Sequence, residues 1–372
     1  MKSILKWTFI AALIFACNSK DLPPTDHLYF ELEIFDSIQV NADEQLRAID
    51  FAYDKGVAYG YQTRATIVFD STGRILVKKS FPEEGPGSIG YIIDIRPLEN
   101  GDYFVYPFGN QLTLLSEELE IKRQYNVSFP PELRGAAYFR HLVDTKDDKA
   151  YLFFPGRDGG NPYFNDFYKK HHVLEKLDLN TGDFEPFLKL PEISKYHDEL
   201  TYEYPSVSMS IRGDLLYLIL DTESYIHVYD LKEGELITSL DFQPQRFLQK
   251  QGSKEEFVSS YGEFMRGEIH SVFALSEGVA VHYREGIDQE IFQQEKLLER
   301  ENWYKQPDYN TQKLKVYQNG SGWSNEIEVP AKVKAISGLS DPDKTFWGLR
   351  NDEYVDLEEE FITFYKMRLK HR

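Results

Sequence analysis

From residue 213 to 242 the chain gathers its apolar positions into three short strands, GDLLYLILDTESYIHVYDLKEGELITSLDF. Asp214–Leu220 is an almost unbroken apolar run, the mark of a strand buried on both faces. Tyr225–Leu231 alternates Ile226 and Val228 with Tyr225, His227 and Tyr229. Beyond the turn Lys232-Glu233-Gly234, whose glycine suits a hairpin reversal, Glu235–Phe242 reads as a third strand. A three-stranded meander cannot bury its own faces, so such a unit needs neighbours of its own kind.

The chain supplies them. The buried strand recurs six times, at Gly56–Gln62, Gly101–Gly109, Asp148–Gly156, Gly213–Asp221, Glu277–Glu285 and Asp343–Asn351. The strand that follows it recurs as well, for example at 66–73, 112–119, 174–182, 226–234, 314–322 and 362–369. A preceding strand stands before the buried one, as at Arg47–Tyr53, Ile92–Pro97, Phe139–Thr145 and Val333–Leu339. The buried strands start 45, 47, 65, 64 and 66 residues apart. Four strands at that spacing are the content of propeller blades, so the expected fold is all-β, a six-bladed β-propeller. Five units have an outer strand of their own: Arg74–Phe81, Leu119–Val127, Phe184–Leu190, Glu235–Phe242 and Asn325–Val329. The sixth has none, whereas His27–Val40 is a strand pattern without a unit. It is placed as the outer strand of the last blade, which closes the ring and leaves no free edge between the two ends. Phe30, Leu32 and Ile34 are its apolar set.

The amino terminus is of another kind. Lys2 and Lys6 precede the apolar run Trp7–Ala16, too short to span a bilayer but laid out like a secretory signal. Ile14-Phe15-Ala16-Cys17 resembles a bacterial lipobox, which implies cleavage before Cys17 and lipidation there; a free thiol behind an ordinary secretory signal is the other reading. The expected organisation is a lipoprotein signal peptide at 1–16, a polar tether at 17–27 containing Pro23-Pro24, and one propeller domain at 28–372. Cys17 is the only cysteine, so no intramolecular disulfide supports the fold. The sequence resembles the six-bladed β-propeller lipoproteins of Bacteroidota. The segment Phe81–Gly90, FPEEGPGSIG, is similar to their Glu-Gly-Pro loop after the first blade, and Lys20-Asp21 resembles their charged export signals. The resemblance implies a cell-envelope address, lipid-anchored in the outer membrane and facing the periplasm or the surface.

Composition changes the picture at one point. Lys and Arg number 42 against 61 Asp and Glu, a formal charge of -19, which repels phosphate backbones and excludes nucleic acid as a partner. In a propeller the loops of each blade alternate between the two ends of the channel. Here one end receives only short turns, and the other receives the long segments 81–90, 128–137, 156–171, 191–203, 243–267 and 284–312. Long loops on a rigid scaffold commonly carry function, so the site is expected at the long-loop end. Arg64, Arg140, Arg157, Arg266, Arg284 and Arg350, with His141 and His270, fall near that face. Arginines converging on a funnel would hold a carboxylate, a sulfate or an anionic saccharide bidentately; the alternative is that each is paired with a neighbouring acid. No His or Cys spacing resembles a metal motif, and no serine elbow or glycine-rich phosphate loop is present, so no metal, cofactor or catalytic residue is assigned. The expected function is a monomeric binding or scaffolding module for an unidentified ligand or envelope protein. The alternative is a lyase or hydrolase acting on a polysaccharide or small ester at the channel mouth.

Overall fold

The computed structural model describes residues 28–371, apart from 43–44, 130–140, 163, 165, 203, 222, 250, 256–264, 341–344 and 357–359. The expected signal segment and tether, with Cys17, and also Arg140, lie outside the described residues.

Six antiparallel sheets form the ring. Blade 1 consists of Leu46–Ala52, Lys55–Gly60, Ala65–Asp70 and Ile75–Ser80. Blade 2 is Ile92–Pro97, Tyr103–Pro107, Gln111–Leu115 and Ile121–Asn126. Blade 3 is Val143–Lys146, Lys149–Leu152, Glu175–Asp178 and Phe184–Pro186. Blade 4 is Val207–Arg212, Leu215–Leu220, Tyr225–Asp230 and Leu236–Asp241. In blade 5, Glu268–Leu275, Gly278–Arg284 and Gln312–Gln318 are followed by two short segments, Gly322–Trp323 and Ile327–Val329, that share the outer position. Blade 6 is Val333–Ser340, Thr345–Arg350 and Ile362–His371, completed by Phe30–Val40 from the other end of the chain. The first strand of every blade lies innermost, and these six strands pack on one another around the channel.

The closing strand does more than the alternation predicts. A bulge at Phe35 interrupts its pairing with the last strand between Ile34 and Asp36. An extra residue flips the side chains that follow to the opposite face. Phe30, Leu32 and Ile34 therefore pack toward blade 5, with Val316, Val329 and Met367. Ile38 and Val40 pack toward blade 1, with Ile49, Phe69 and Phe364. One strand thus serves both seams of its blade. Asn325 of blade 5 holds the strand's start, accepting from the Phe30 amide at 2.7 Å and donating to its carbonyl at 3.0 Å. At the seam between blades 6 and 1, Phe51 stacks on Trp347 with ring centres 4.4 Å apart. Gly338 makes that approach possible, since a Cβ there would sit 2.8 Å from the Phe51 nitrogen.

The long segment 284–312 carries a short helix, Gln289–Gln294, followed by a 3-10 turn at Arg300–Lys305. Leu297 explains the break: it is fully buried beside Ile287 and Phe292, and Lys296 takes a left-handed backbone to put it there. His171 and His172 follow a single helical turn, Phe167–Lys170, ahead of the strand that starts at Glu175.

Candidate functional site at the short-turn mouth of the channel

Carboxylates inside apolar strands are unfavourable unless something is gained. The innermost strands of blades 1 to 3 carry three, Asp50, Asp94 and Asp144, and each is used to bind structure together. Asp94 accepts from the amides of Leu142 and Val143 in blade 3, at 2.7 and 3.1 Å. Asp144 accepts from the Ile211 amide in blade 4 at 2.7 Å. Arg96 of blade 2 reaches both neighbours, donating to Asp50 at 2.7 Å and to the Val143 carbonyl at 2.6 Å. Between blades 4 and 5 serine hydroxyls take the same role, Ser208 accepting from Val272 and Ser210 from Ala274, at 3.2 and 3.0 Å. Bulges just before Asp50, Asp94, Ser271 and Gly338 turn the innermost strands at this level.

The electrostatics follow from that packing. Burial pushes the Asp94 carboxyl up to about 7, against the pull of Arg96 and of the two amides. Burial also raises Asp144, opposed by Arg96. Arg96 is itself buried, which works against its charge, but Asp50, Asp144 and Asp94 outweigh this and hold the guanidinium more firmly protonated than usual. His141 is driven well below the ordinary imidazole range by burial and then by Arg96, so it is neutral.

Above this charged belt the channel widens into a cavity of about 850 Å³. Asp50, Phe51, Arg96, His141, Asp144 and Phe273 line its inner part, and Tyr53, Glu99, Asn100, Lys146–Asp148 and Arg212 belong to the turns around its opening. These are the turns joining first to second strands. Two of them have left-handed backbone at both residues, Tyr53-Asp54 and Asp147-Asp148, the geometry of the tightest hairpins. The cavity therefore opens at the short-turn end, opposite the long loops. Five carboxylates line it (Asp50, Glu99, Asp144, Asp147, Asp148) against three basic side chains, Arg96, Lys146 and Arg212. Two of those three are matched within the wall, Arg96 by Asp50 and Lys146 by Asp147 at 3.4 Å.

The described residues among those singled out by sequence do not converge. Arg64 pairs with Glu83 at 2.7 Å on the surface. Arg157 holds Glu175 through two bonds of 2.8 and 2.6 Å, Arg266 holds Asp221 at 3.0 Å, and Arg350 bonds Asp352 at 2.5 Å. Arg284 donates to the Lys334 carbonyl at 3.0 Å. His270 packs its ring against His282, 5.2 Å between centres. For Arg64, Arg157, Arg266 and Arg350 the alternative of pairing with a neighbouring acid is what the structure displays, and among the described members of the set only His141 lines the large cavity. A small cavity of about 170 Å³ lies beside Arg157, Lys170, His171 and His172, where Arg157 is locked to Glu175 and Lys170 to Asp166. A buried chain runs from Ser194 to Glu223 to His227, but the carboxylate stands between hydroxyl and imidazole, so the serine has no base of its own there. Among the described residues no group of three or more His, Cys, Asp or Glu could hold a metal. No described helix is long and apolar enough to cross a membrane.

Sequence reasoning missed Asp50, Asp94, Arg96 and Asp144. The signal was there, in Ile49-Asp50-Phe51, Ile93-Asp94-Ile95 and Val143-Asp144-Thr145: one acid directly after an aliphatic residue at a like place in the first strands of three successive blades.

A six-bladed propeller with a polar cavity at one mouth of its channel is the class these features define. Among solved structures the chain is similar to a member of the DUF4221 family from Bacteroides vulgatus. The TM-score is 0.68 at 14% identity, over 93% of this chain and 100% of that one. It is also similar to a Bacteroides fragilis protein inferred to be exported, with TM-score 0.51 at 11% identity, over 92% and 95% of the two chains. At such identities the likeness is one of fold, and it agrees with the resemblance to Bacteroidota propellers drawn from the sequence. No protein-family model matches the chain and no curated protein matches it in sequence.

Proposed function

We propose that the protein is an exported binding propeller, held to the cell envelope by lipid on Cys17, which takes a small polar ligand into the short-turn mouth. The observation that carries the binding reading is His141. It is 3% exposed, it lines the cavity, and among the described residues neither ring nitrogen has a hydrogen-bond partner. A neutral imidazole buried in that way offers one donor and one acceptor to whatever enters. Rigid turns around the mouth favour recognition without reorganisation of the scaffold. The test is a thermal-shift screen of small polar metabolites and oligosaccharides against the wild type and His141→Phe, which keeps ring volume and removes both nitrogens. Compounds that stabilise the wild type should fail to stabilise the variant. Equal stabilisation of both would overturn the assignment of the mouth.

A further inference from the structure

We infer that the mouth selects a cationic ligand, a polar molecule carrying an amine, and discriminates against anions. The inference rests on the mouth being the binding site. Once the pairs within the wall are set aside, Glu99, Asp144 and Asp148 face the cavity with Arg212 as the one remaining basic group among the described lining residues. Asp148 accepts from Asn180 at 3.1 Å and Asp144 from backbone amides, contacts that carry no positive charge; Asp144 also lies in the field of Arg96, which it shares with the directly paired Asp50.

Two further observations point the same way. His141 supplies hydrogen bonding without positive charge, because burial and Arg96 keep its imidazole neutral. Tyr53, 55% exposed in one of the rim turns, offers an aromatic face for an ammonium group. Its hydroxyl also registers the field of the mouth: after burial, the carboxylates of Glu99, Asp144 and Asp50 are what raise it above the ordinary phenol range. A sugar acid entering here would meet like charge both locally and from the chain's formal -19. An amine would be drawn in by both. This reverses the anionic ligand expected from the arginines, which the structure shows to be engaged by their own neighbours.

Three probes on one scaffold separate charge from shape: glucosamine, N-acetylglucosamine and glucuronate, titrated calorimetrically at mildly acidic pH and low salt. Glucosamine should bind at least about tenfold more tightly than N-acetylglucosamine, and glucuronate least of all, with the preference shrinking as salt is raised. Glu99→Gln and Asp148→Asn, both on exposed turn residues, should bring the affinity for glucosamine toward that for its acetylated form. If N-acetylglucosamine binds as well as glucosamine, or glucuronate binds better, the charge inference fails while the mouth stands as a site. If none of the three binds and none shifts the His141 ring resonances, the charge inference and the assignment of the mouth fail together.

Discussion

Arg96 ties together the inner strands of three blades, and its removal should be costly in a particular way. The pair with Asp50 is buried, with 8% of each side chain exposed. Arg96→Met leaves Asp50 with the Phe51 amide at 2.8 Å and no cation, and deprives the Val143 carbonyl of its 2.6 Å donor. Breaking a buried ion pair from one side costs about 3–5 kcal/mol. Asp50→Asn should cost less, on the order of 1–3 kcal/mol, because Arg96 keeps the nearby charges of Asp144 and Asp94. Unfolding entropy is roughly 2.1 cal/mol/K per residue, or about 0.7 kcal/mol/K over the roughly 340 residues from 28 to 371. The arginine variant should therefore lower Tm by about 4–7 °C. The double variant should lose less than the sum of the two, since the second change removes the charge that the first one stranded. Calorimetry on the four proteins measures the cycle. Additive losses, or an Arg96→Met variant melting with the wild type, would refute the reasoning.

Further predictions concern the same ring. Burial raises Asp94 to about 7, so the folded protein keeps that proton over a range where the unfolded chain, at about 3.9, has released it. More protons are then bound in the folded state, and the stability owed to Asp94 is full below that lower value and lost as pH rises toward 7. Urea midpoints of the wild type should fall relative to Asp94→Asn between those limits, and parallel pH profiles would contradict this. A chain beginning at Asn41 should aggregate or lose cooperative melting, because it exposes the edge of blade 6 and strips both of its seams. Val40→Asp should do nearly as much, since Val40 has no exposure, whereas Glu33→Lys, which breaks an exposed pair with Arg368, should shift Tm little. Cys17→Ser should abolish membrane retention and palmitate labelling with the melting temperature unchanged; a variant that still fractionates with membranes would remove the anchor from the proposal.

The architecture was legible because it is written in a repeat. Each blade must bury both faces against its neighbours, so its second strand has to be apolar throughout, and six such runs at regular intervals count the blades. Closure was legible by the same accounting, since one unit lacked a strand and one strand lacked a unit. The bulge at Phe35 was not, because Tyr29–Ile34 and Ile38–Val40 keep one alternation in sequence and only the pairing with Met367 and Lys366 shows the slip. The site was harder still. An acid in an apolar strand is visible at Asp50, Asp94 and Asp144, but what it accepts from is a backbone amide of the next blade, and no residue type announces an amide.

The placement of the mouth follows from what each end of the channel has to hold. The long loops carry charged residues in abundance, and the structure uses them to fasten those loops: Arg157 to Glu175, Arg266 to Asp221, Ser194 to Glu223. Length creates backbone that must be anchored, and anchoring consumes the polar groups that would otherwise meet a ligand. A two-residue turn has no such demand. Tyr53-Asp54 and Asp147-Asp148 are fixed by their own backbone geometry and by the ladders they join. Tyr53, Asp147 and Asp148 line the cavity with Glu99 and Arg212, Asp147 beside Lys146 and Asp148 accepting from Asn180. Loop length is thus a sound guide to function only where the loop's charges line a cavity, and in this chain the carboxylates that line the large cavity stand at the opposite end.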